Sequence, residues 1–276
     1  MFRTALAPVT LIARRPYRLA RRMLGRLAEA IAVTPGQRRL FDRDGFLVLD
    51  PGIPDKVLEQ VKADVAGHYQ PAPAGTVGCP LVGRVQDAWT FSPAVRSVAL
   101  WPRILRVLKA LYGRQPKPFQ TLNFPVGTEQ PVHSDTMHFN SVPGGWMCGV
   151  WVALEDLGPD CGPVVYYPGS HTLPEYSLEE VGAPDGENPS VRYHHYEQFV
   201  KRLIRDHDLQ PQYATLRKGQ AFVWAGNLLH GGSPRRDPNC SRHSQVTHVF
   251  FEGCRYYTPV FSTRQNVEWR EPRWIS

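Results

Sequence analysis

From Pro118 onward the chain is written in short β-rich runs, Phe119–Phe124, Met147–Leu154, Val164–Tyr167, Ala221–Trp224 and Gln245–Phe251, separated by glycine and proline turns. Runs this short and rich in β-branched and aromatic residues, without 10–15-residue helical patterns between them, predict an antiparallel sandwich or barrel rather than alternating βα units. The hydrophobic share of 42% and aromatic share of 11% suffice to fill such a core, so global disorder is excluded.

Helices are expected at the edges of this β region. Asp44-Gly45 reads as a turn entering a strand at Phe46–Leu49, and Pro54 to Val65 as a helix burying Val57, Leu58, Val61 and Val65. Ser92-Pro93 resembles an N-cap followed by proline at the first helical position, and Trp101-Pro102 should kink or divide the helix that runs toward Tyr112. Within the polar stretch Gly182 to Pro211, residues Tyr196 to Leu209 have helical spacing. With its arginines, lysine and histidines, this stretch is expected to be a lid over an acidic or phosphate-bearing substrate.

The net charge of +7 is concentrated at the start of the chain, where residues 1–28 hold seven arginines and no acid. Leu19, Met23, Leu24, Leu27 and Ile31 line one face of a basic amphipathic helix there, which reads either as a helix packed on the domain or as peripheral membrane contact through 14–31. No apolar run approaches the roughly 20 residues of a membrane span. The five cysteines lack C-x-x-C spacing, which argues against a disulfide scaffold and favours a reducing cytoplasm, with contact at the inner face of the membrane as the variant reading. A nucleic-acid partner is not expected, because the basic stretch lacks interleaved aromatics. The expected organisation is a basic segment over 1–35, one domain over 36–265 and a tail over 266–276.

Chemistry is concentrated in Gln130-Pro131-Val132-His133-Ser134-Asp135, followed about a hundred residues later by Asn227-Leu228-Leu229-His230-Gly231-Gly232. If His133 and Asp135 lie on a strand, its period of two puts both side chains on one face. Two imidazoles and one carboxylate on one face of an octahedron leave open positions, the arrangement of iron(II) oxygenases. Arg242, twelve residues beyond His230, could supply a permanently charged, bidentate partner for a distal carboxylate, or be a surface arginine. His138 and His171 are not expected to be ligands.

These segments resemble the phytanoyl-CoA dioxygenase family of iron(II)- and 2-oxoglutarate-dependent oxygenases, in a bacterial branch. The resemblance runs from about Leu40 to Tyr257 through Phe46-Leu47-Val48-Leu49, Gly127 to Phe139, Gly149 to Asp156, Gly162-Pro163, Pro168-Gly169-Ser170-His171 and Leu216 to Arg242. It implies a mainly β fold with flanking helices, a double-stranded β-helix or cupin-like jelly roll. It makes His133, Asp135 and His230 the ligands of Fe(II), and Arg242 the clamp on 2-oxoglutarate, with O2 as co-substrate. Trp151 falls where the family has a tryptophan lining the co-substrate site, and reads equally as a core aromatic. Gln130 could hydrogen-bond the co-substrate or simply be solvated. The family often has His-x-Ser at the second histidine; here Ser233 follows one residue later, and is the candidate for that hydrogen bond. A retained carboxylate at Asp135 implies hydroxylation of an unactivated C–H in a small-molecule or carrier-linked substrate, releasing succinate and CO2. The alternatives are an inactive jelly-roll binding module and another metal-dependent cupin enzyme.

Overall fold

The run Met147–Ala153 (β5) does not alternate because both its faces are covered. Cys148, Val150 and Val152 point into a cluster shared with the helices, whereas Trp151 and Ala153 point into a second cluster between the sheets. In the computed structural model, which describes residues 32–69, 83–184, 187–263 and 265–276, β5 lies inside a six-stranded antiparallel sheet. Its neighbours are Ala221–Ala225 (β8) and Ser244–Phe251 (β10). Phe46–Leu49 (β1) continues the sheet beyond β8, and Pro116–Phe124 (β3) with Val85–Gln86 (β2) continues it beyond β10.

Two three-stranded sheets complete the fold: Gln212–Ala214 (β7), Val164–Tyr166 (β6) and His230–Gly232 (β9) form one, and Trp269–Arg270 (β12), Arg255–Tyr257 (β11) and Asn140–Val142 (β4) the other. The predicted strands thus exist and pair antiparallel, in a jelly-roll fold with helices outside it. Residues 266–276, read from sequence as a tail, instead carry β12, and Ile275 N–H donates to Pro118 O at 2.9 Å.

Helices Pro35–Asp44 (α1), Asp55–Val65 (α2), Pro93–Ala99 (α3) and Pro102–Tyr112 (α4) lay Leu58, Val61, Val65, Val95, Leu108 and their neighbours against the outer face of the large sheet. The Thr34 hydroxyl accepts from Gln37 N–H while the Gln37 side chain returns the bond to Thr34 N–H, a reciprocal cap that fixes the start of α1. Ser92 caps α3 as expected, and the break at Trp101-Pro102 separates α3 from α4. The helix Pro189–Asp206 (α5) begins seven residues before its apolar spacing does, with Asn188 as N-cap and Pro189 in its first turn.

The basic helix over 19–31 and the membrane contact assigned to 14–31 lie outside the described residues. Among the described residues, no helix is long and apolar enough to cross a membrane. A disulfide joins Cys161 to Cys240, 79 residues apart with Cα atoms at 5.1 Å. The irregular cysteine spacing gave no sign of it. Its cause is tertiary: Asp160 O accepts from Arg236 and Asp237 N–H, and Cys161 pairs with Arg235 in a bridge, bringing the two loops together.

Candidate metal centre

Cross-strand register builds the site's floor as rows. Val246 lies opposite both Leu122 and Trp151, which itself faces Phe222, forming an apolar row. Two residues along, His248 lies opposite Gln120 and Gly149, and Gly149 faces Trp224. A glycine is required in this second row, because a Cβ at Gly149 would stand 2.1 Å from the Trp224 ring. The indole therefore lies across the strand, and its Nε1–H donates to Asp135 Oδ2 at 2.8 Å.

His133 and His230 are opposite one another in an antiparallel bridge, closed by His133 N–H to His230 O at 2.8 Å and the reverse bond at 2.9 Å. Directly paired residues project to the same face, so the two imidazoles stand side by side, with ring centroids 4.6 Å apart. The close approach depends on Gly231 and Gly232, where a Cβ would meet Gln130 O at 2.8 Å and Glu129 N at 2.7 Å. The expected regular strand through Asp135 is not present. The pairing is a single bridge, and Asp135 opens a short 3-10 turn whose Thr136 N–H is accepted by the Ser134 hydroxyl.

Each imidazole is oriented by its own backbone. His133 Nδ1–H donates to Pro131 O at 2.8 Å and His230 Nδ1–H to Leu228 O at 3.0 Å, so both Nε2 lone pairs face inward. Both Nε2 atoms converge on Asp135 Oδ1, at 3.7 and 3.8 Å. The three donor atoms lie within 4.8 Å of one another, and all three residues are buried. Burial alone would raise the Asp135 carboxyl, but the facing imidazoles of His230, His133 and His248 hold it well below the usual carboxylate range. Burial lowers His230, and takes His248 and His138 down to about 4. One buried carboxylate with two buried imidazoles whose Nε2 atoms face it is a donor set suited to a divalent cation.

These three residues line a cavity of about 360 Å3 together with Gln130, Trp151 and Arg242. Arg242 is 3% exposed, and its Nη1–H donates to Gly162 O at 3.0 Å. Among the described residues its buried Nε–H has no hydrogen-bond partner, and the guanidinium carbon stands 5.3 Å from the centre of the Trp151 ring. Burial lowers its pKa to about 10. The surface-arginine reading of Arg242 is therefore excluded.

Gln130 Nε2 lies 3.3 Å from His133 Nε2, within the cavity. Ser233 is placed differently from the expectation: its hydroxyl donates to Pro163 O at 2.7 Å, and it is not among the residues lining the cavity. The stretch expected to be a lid is also elsewhere. Helix α5 borders a separate cavity of about 430 Å3 on the other side of the Ser134–Met137 turn, and no described residue of 182–211 lines the cavity of the triad. The helix supports the metal segment instead, through Tyr196 Oη accepting Ser134 N–H at 2.9 Å and Tyr193 Oη at 3.1 Å from His138 Nε2.

Sequence reading did not single out Trp224, His248, Gln120, Arg84 or Arg270, all of which line the triad's cavity. Trp224 had a local signal, since it closes the apolar run that leads to His230; His248, Gln120 and Arg270 are placed by cross-strand register, and Arg84 by its position just before β2. Removing the indole N–H should matter: Trp224→Phe is expected to weaken iron binding about 10- to 100-fold, the usual cost of losing a hydrogen bond behind a metal ligand. Iron titration followed by calorimetry checks this, and unchanged affinity would remove Trp224 from the site's support.

A family model described as phytanoyl-CoA dioxygenase (PhyH) matches residues 41–244. A probable phytanoyl-CoA dioxygenase of Caenorhabditis elegans is 20% identical over 270 residues, covering 87% of this chain and 82% of the relative. Among solved structures, the non-heme alpha ketoglutarate dependent epimerase SnoN from nogalamycin biosynthesis matches at TM-score 0.58 and 19% identity, over 82% of this chain and 85% of that one. EctD from S. alaskensis with bound Fe matches at TM-score 0.59 and 22% identity, over 84% and 82%. The structural matches carry the fold; the family model covers most of the chain, and the chain belongs to the phytanoyl-CoA dioxygenase family of iron(II)- and 2-oxoglutarate-dependent oxygenases.

Proposed function

We propose that His133, Asp135 and His230 hold iron(II), that Arg242 binds the distal carboxylate of 2-oxoglutarate beside it, and that the enzyme hydroxylates an unactivated C–H bond of a small-molecule or carrier-linked substrate. The observation that carries this reading is Arg242. A buried guanidinium with an unpartnered Nε–H is costly to maintain, and it opens onto the same cavity as three convergent metal-ligand atoms. A dianionic keto acid satisfies both features at once, with one end for the metal and one for the arginine. A binding module without turnover has no need of that combination.

When bound, iron with 2-oxoglutarate supplies the activation of O2 and the oxidising equivalents, and releases succinate and CO2. The chain's own residues do the rest. The backbone carbonyls of Pro131 and Leu228 fix the tautomers of His133 and His230, and Trp224 fixes Asp135, so the ligands need little reorganisation. Trp151 and Phe124 flank the Arg242 guanidinium and keep water from it, which strengthens its pairing with a carboxylate. Gln130 is within reach of a group at His133 Nε2 and can donate to it. The expected domain division, a basic segment over 1–35 ahead of the oxygenase domain, belongs to this proposal, as do a cytoplasmic location and membrane contact through 14–31.

Iron- and 2-oxoglutarate-dependent formation of succinate under O2 tests the activity without a known substrate, because such enzymes turn over slowly when uncoupled. Succinate that requires both additions is the expected result; none from iron-loaded, folded protein would contradict it.

A further inference from the structure

The cavity has a second cationic end. Along β10 the inward-facing side chains run in the order Ser244, Val246, His248, Phe250, and the site follows that axis. Arg242 lies just before its start, packed near Phe124 and Trp151. Arg270 lies toward the other end: its guanidinium carbon is 4.9 Å from the centre of the Phe139 ring, and Phe139 is 4.9 Å from His248 and 5.3 Å from Phe119. The metal-ligand row therefore stands between the two arginines.

Arg270 is half-buried and placed by backbone pairing, since it faces Tyr256 across β11 and β12. One Nη1–H donates to Thr258 Oγ1 at 3.0 Å. Among the described residues it has no ion-pair partner. The acid that influences it, Asp87, accepts instead from the Trp89 indole at 3.2 Å and from Thr121 N–H at 3.2 Å. Arg84 lines the same cavity and is near enough to His138 and His248 to help lower both. Among the described lining residues the sole carboxylate is Asp135, which the metal takes. The charges of iron(II) and 2-oxoglutarate cancel one another, so among the described residues the cavity wall offers Arg270 no anion. Phe261, which lines the same cavity, is 57% exposed and adds apolar surface to its wall.

We propose that Arg270, with Arg84, recognises an anionic group of the substrate, so that the substrate carries a carboxylate or phosphate at one end and an apolar portion that lies along Phe139 and Phe261. This names the substrate class of the oxygenase reading and rests on it for the position of the reacting carbon. A guanidinium suits either anion because its fork of N–H donors matches two oxygens, and an aromatic ring beneath it keeps the cation in place without neutralising it. The cavity of about 360 Å3 is large enough for a small amphiphile.

The test uses full-length protein saturated anaerobically with iron(II) and 2-oxoglutarate, so that Arg242 is already engaged, and titrates it calorimetrically with octanoate, octyl phosphate and the neutral octanamide. The anions are expected to bind about 10- to 100-fold more tightly than the amide, the range for a charge-assisted hydrogen bond. The tighter of the two identifies the anion. Arg270→Gln should abolish that preference while leaving octanamide binding and the 2-oxoglutarate affinity unchanged, and Arg270→Lys should restore part of it. Equal binding of anions and amide, or an undiminished preference in Arg270→Gln, would overturn the proposal. The visible band of the iron–2-oxoglutarate chelate separates the two readings: anion preference without that band keeps the Arg270 site and removes the oxygenase assignment.

Discussion

Asp135→Ala protein is expected to fold, to retain essentially no iron under conditions that saturate the wild type, and to lose at least about 10³-fold in succinate formation. The reason is the convergence of four side chains on one carboxylate. Oδ1 faces the Nε2 atoms of His133 and His230, while Oδ2 accepts the Trp224 indole and lies 3.7 Å from His248 Nε2. Removal takes away the only negative charge of the donor set and leaves the buried indole N–H without its acceptor, a further cost of about 1–3 kcal/mol in stability. Asp135→Asn separates these effects. It keeps an oxygen for Trp224, so stability should return toward wild type, while the loss of charge keeps iron affinity low. Metal analysis after dialysis and thermal unfolding check both statements, and an Asp135→Ala protein that holds iron normally would remove Asp135 from the ligand set.

Substituting Arg242 should act in opposite directions on stability and on co-substrate binding. Arg242→Met removes a buried charge that has no acid beside it among the described residues and puts an apolar chain near Phe124 and Trp151, so the protein without co-substrate should unfold at the same temperature as wild type or higher. The affinity for 2-oxoglutarate should fall about 10²- to 10³-fold, because truncating one side of a buried charged pair costs about 3–4 kcal/mol. Arg242→Lys should recover only part of this, since an ammonium cannot make the paired contact of a guanidinium. Differential scanning calorimetry with and without 2-oxoglutarate reads both quantities. A stability loss in Arg242→Met with unchanged 2-oxoglutarate affinity would mean that the arginine serves the fold through Gly162 O and not the co-substrate.

Much of this site was legible because its ligands lie in two short segments. His133 and Asp135 are two residues apart, and His230 lies five residues beyond the end of β8 and directly precedes the two glycines that its bridge to His133 requires. The five β runs were legible for a similar local reason: each is bounded by turn residues, and burial on both faces makes β5 and β8 continuous in apolar character. The first half of α5 was missed because Val191 is exposed and Arg192 buried there, the reverse of an amphipathic pattern, although Asn188-Pro189 carries the same start signal as Ser92-Pro93. Ser233 was misjudged because its hydroxyl bonds Pro163 O, a partner 70 residues away. His248, Arg270 and the Cys161–Cys240 pair owe their positions to strand register and loop contact, which no local pattern encodes.

Arg242 shows the boundary between the two kinds of information. Its spacing from His230 marked it as a candidate, but the unpartnered Nε–H and the neighbouring rings that give the candidacy physical content come from packing. The same holds for the Ser134–Met137 turn, whose alternate residues face different cavities: Asp135 with its neighbours His133 and His138 toward the triad's cavity, Ser134, Thr136 and Met137 toward the one bordered by α5.

The most direct measurement is anaerobic addition of iron(II) and 2-oxoglutarate to the full-length protein, read by the visible charge-transfer band of the chelate in wild type, His133→Ala, His230→Ala and Arg242→Met. The account predicts a band in wild type, none in either histidine variant, and a band in Arg242→Met that needs about 10²- to 10³-fold more 2-oxoglutarate. No band in folded, iron-supplemented wild type, or an undiminished band in the histidine variants, would contradict it.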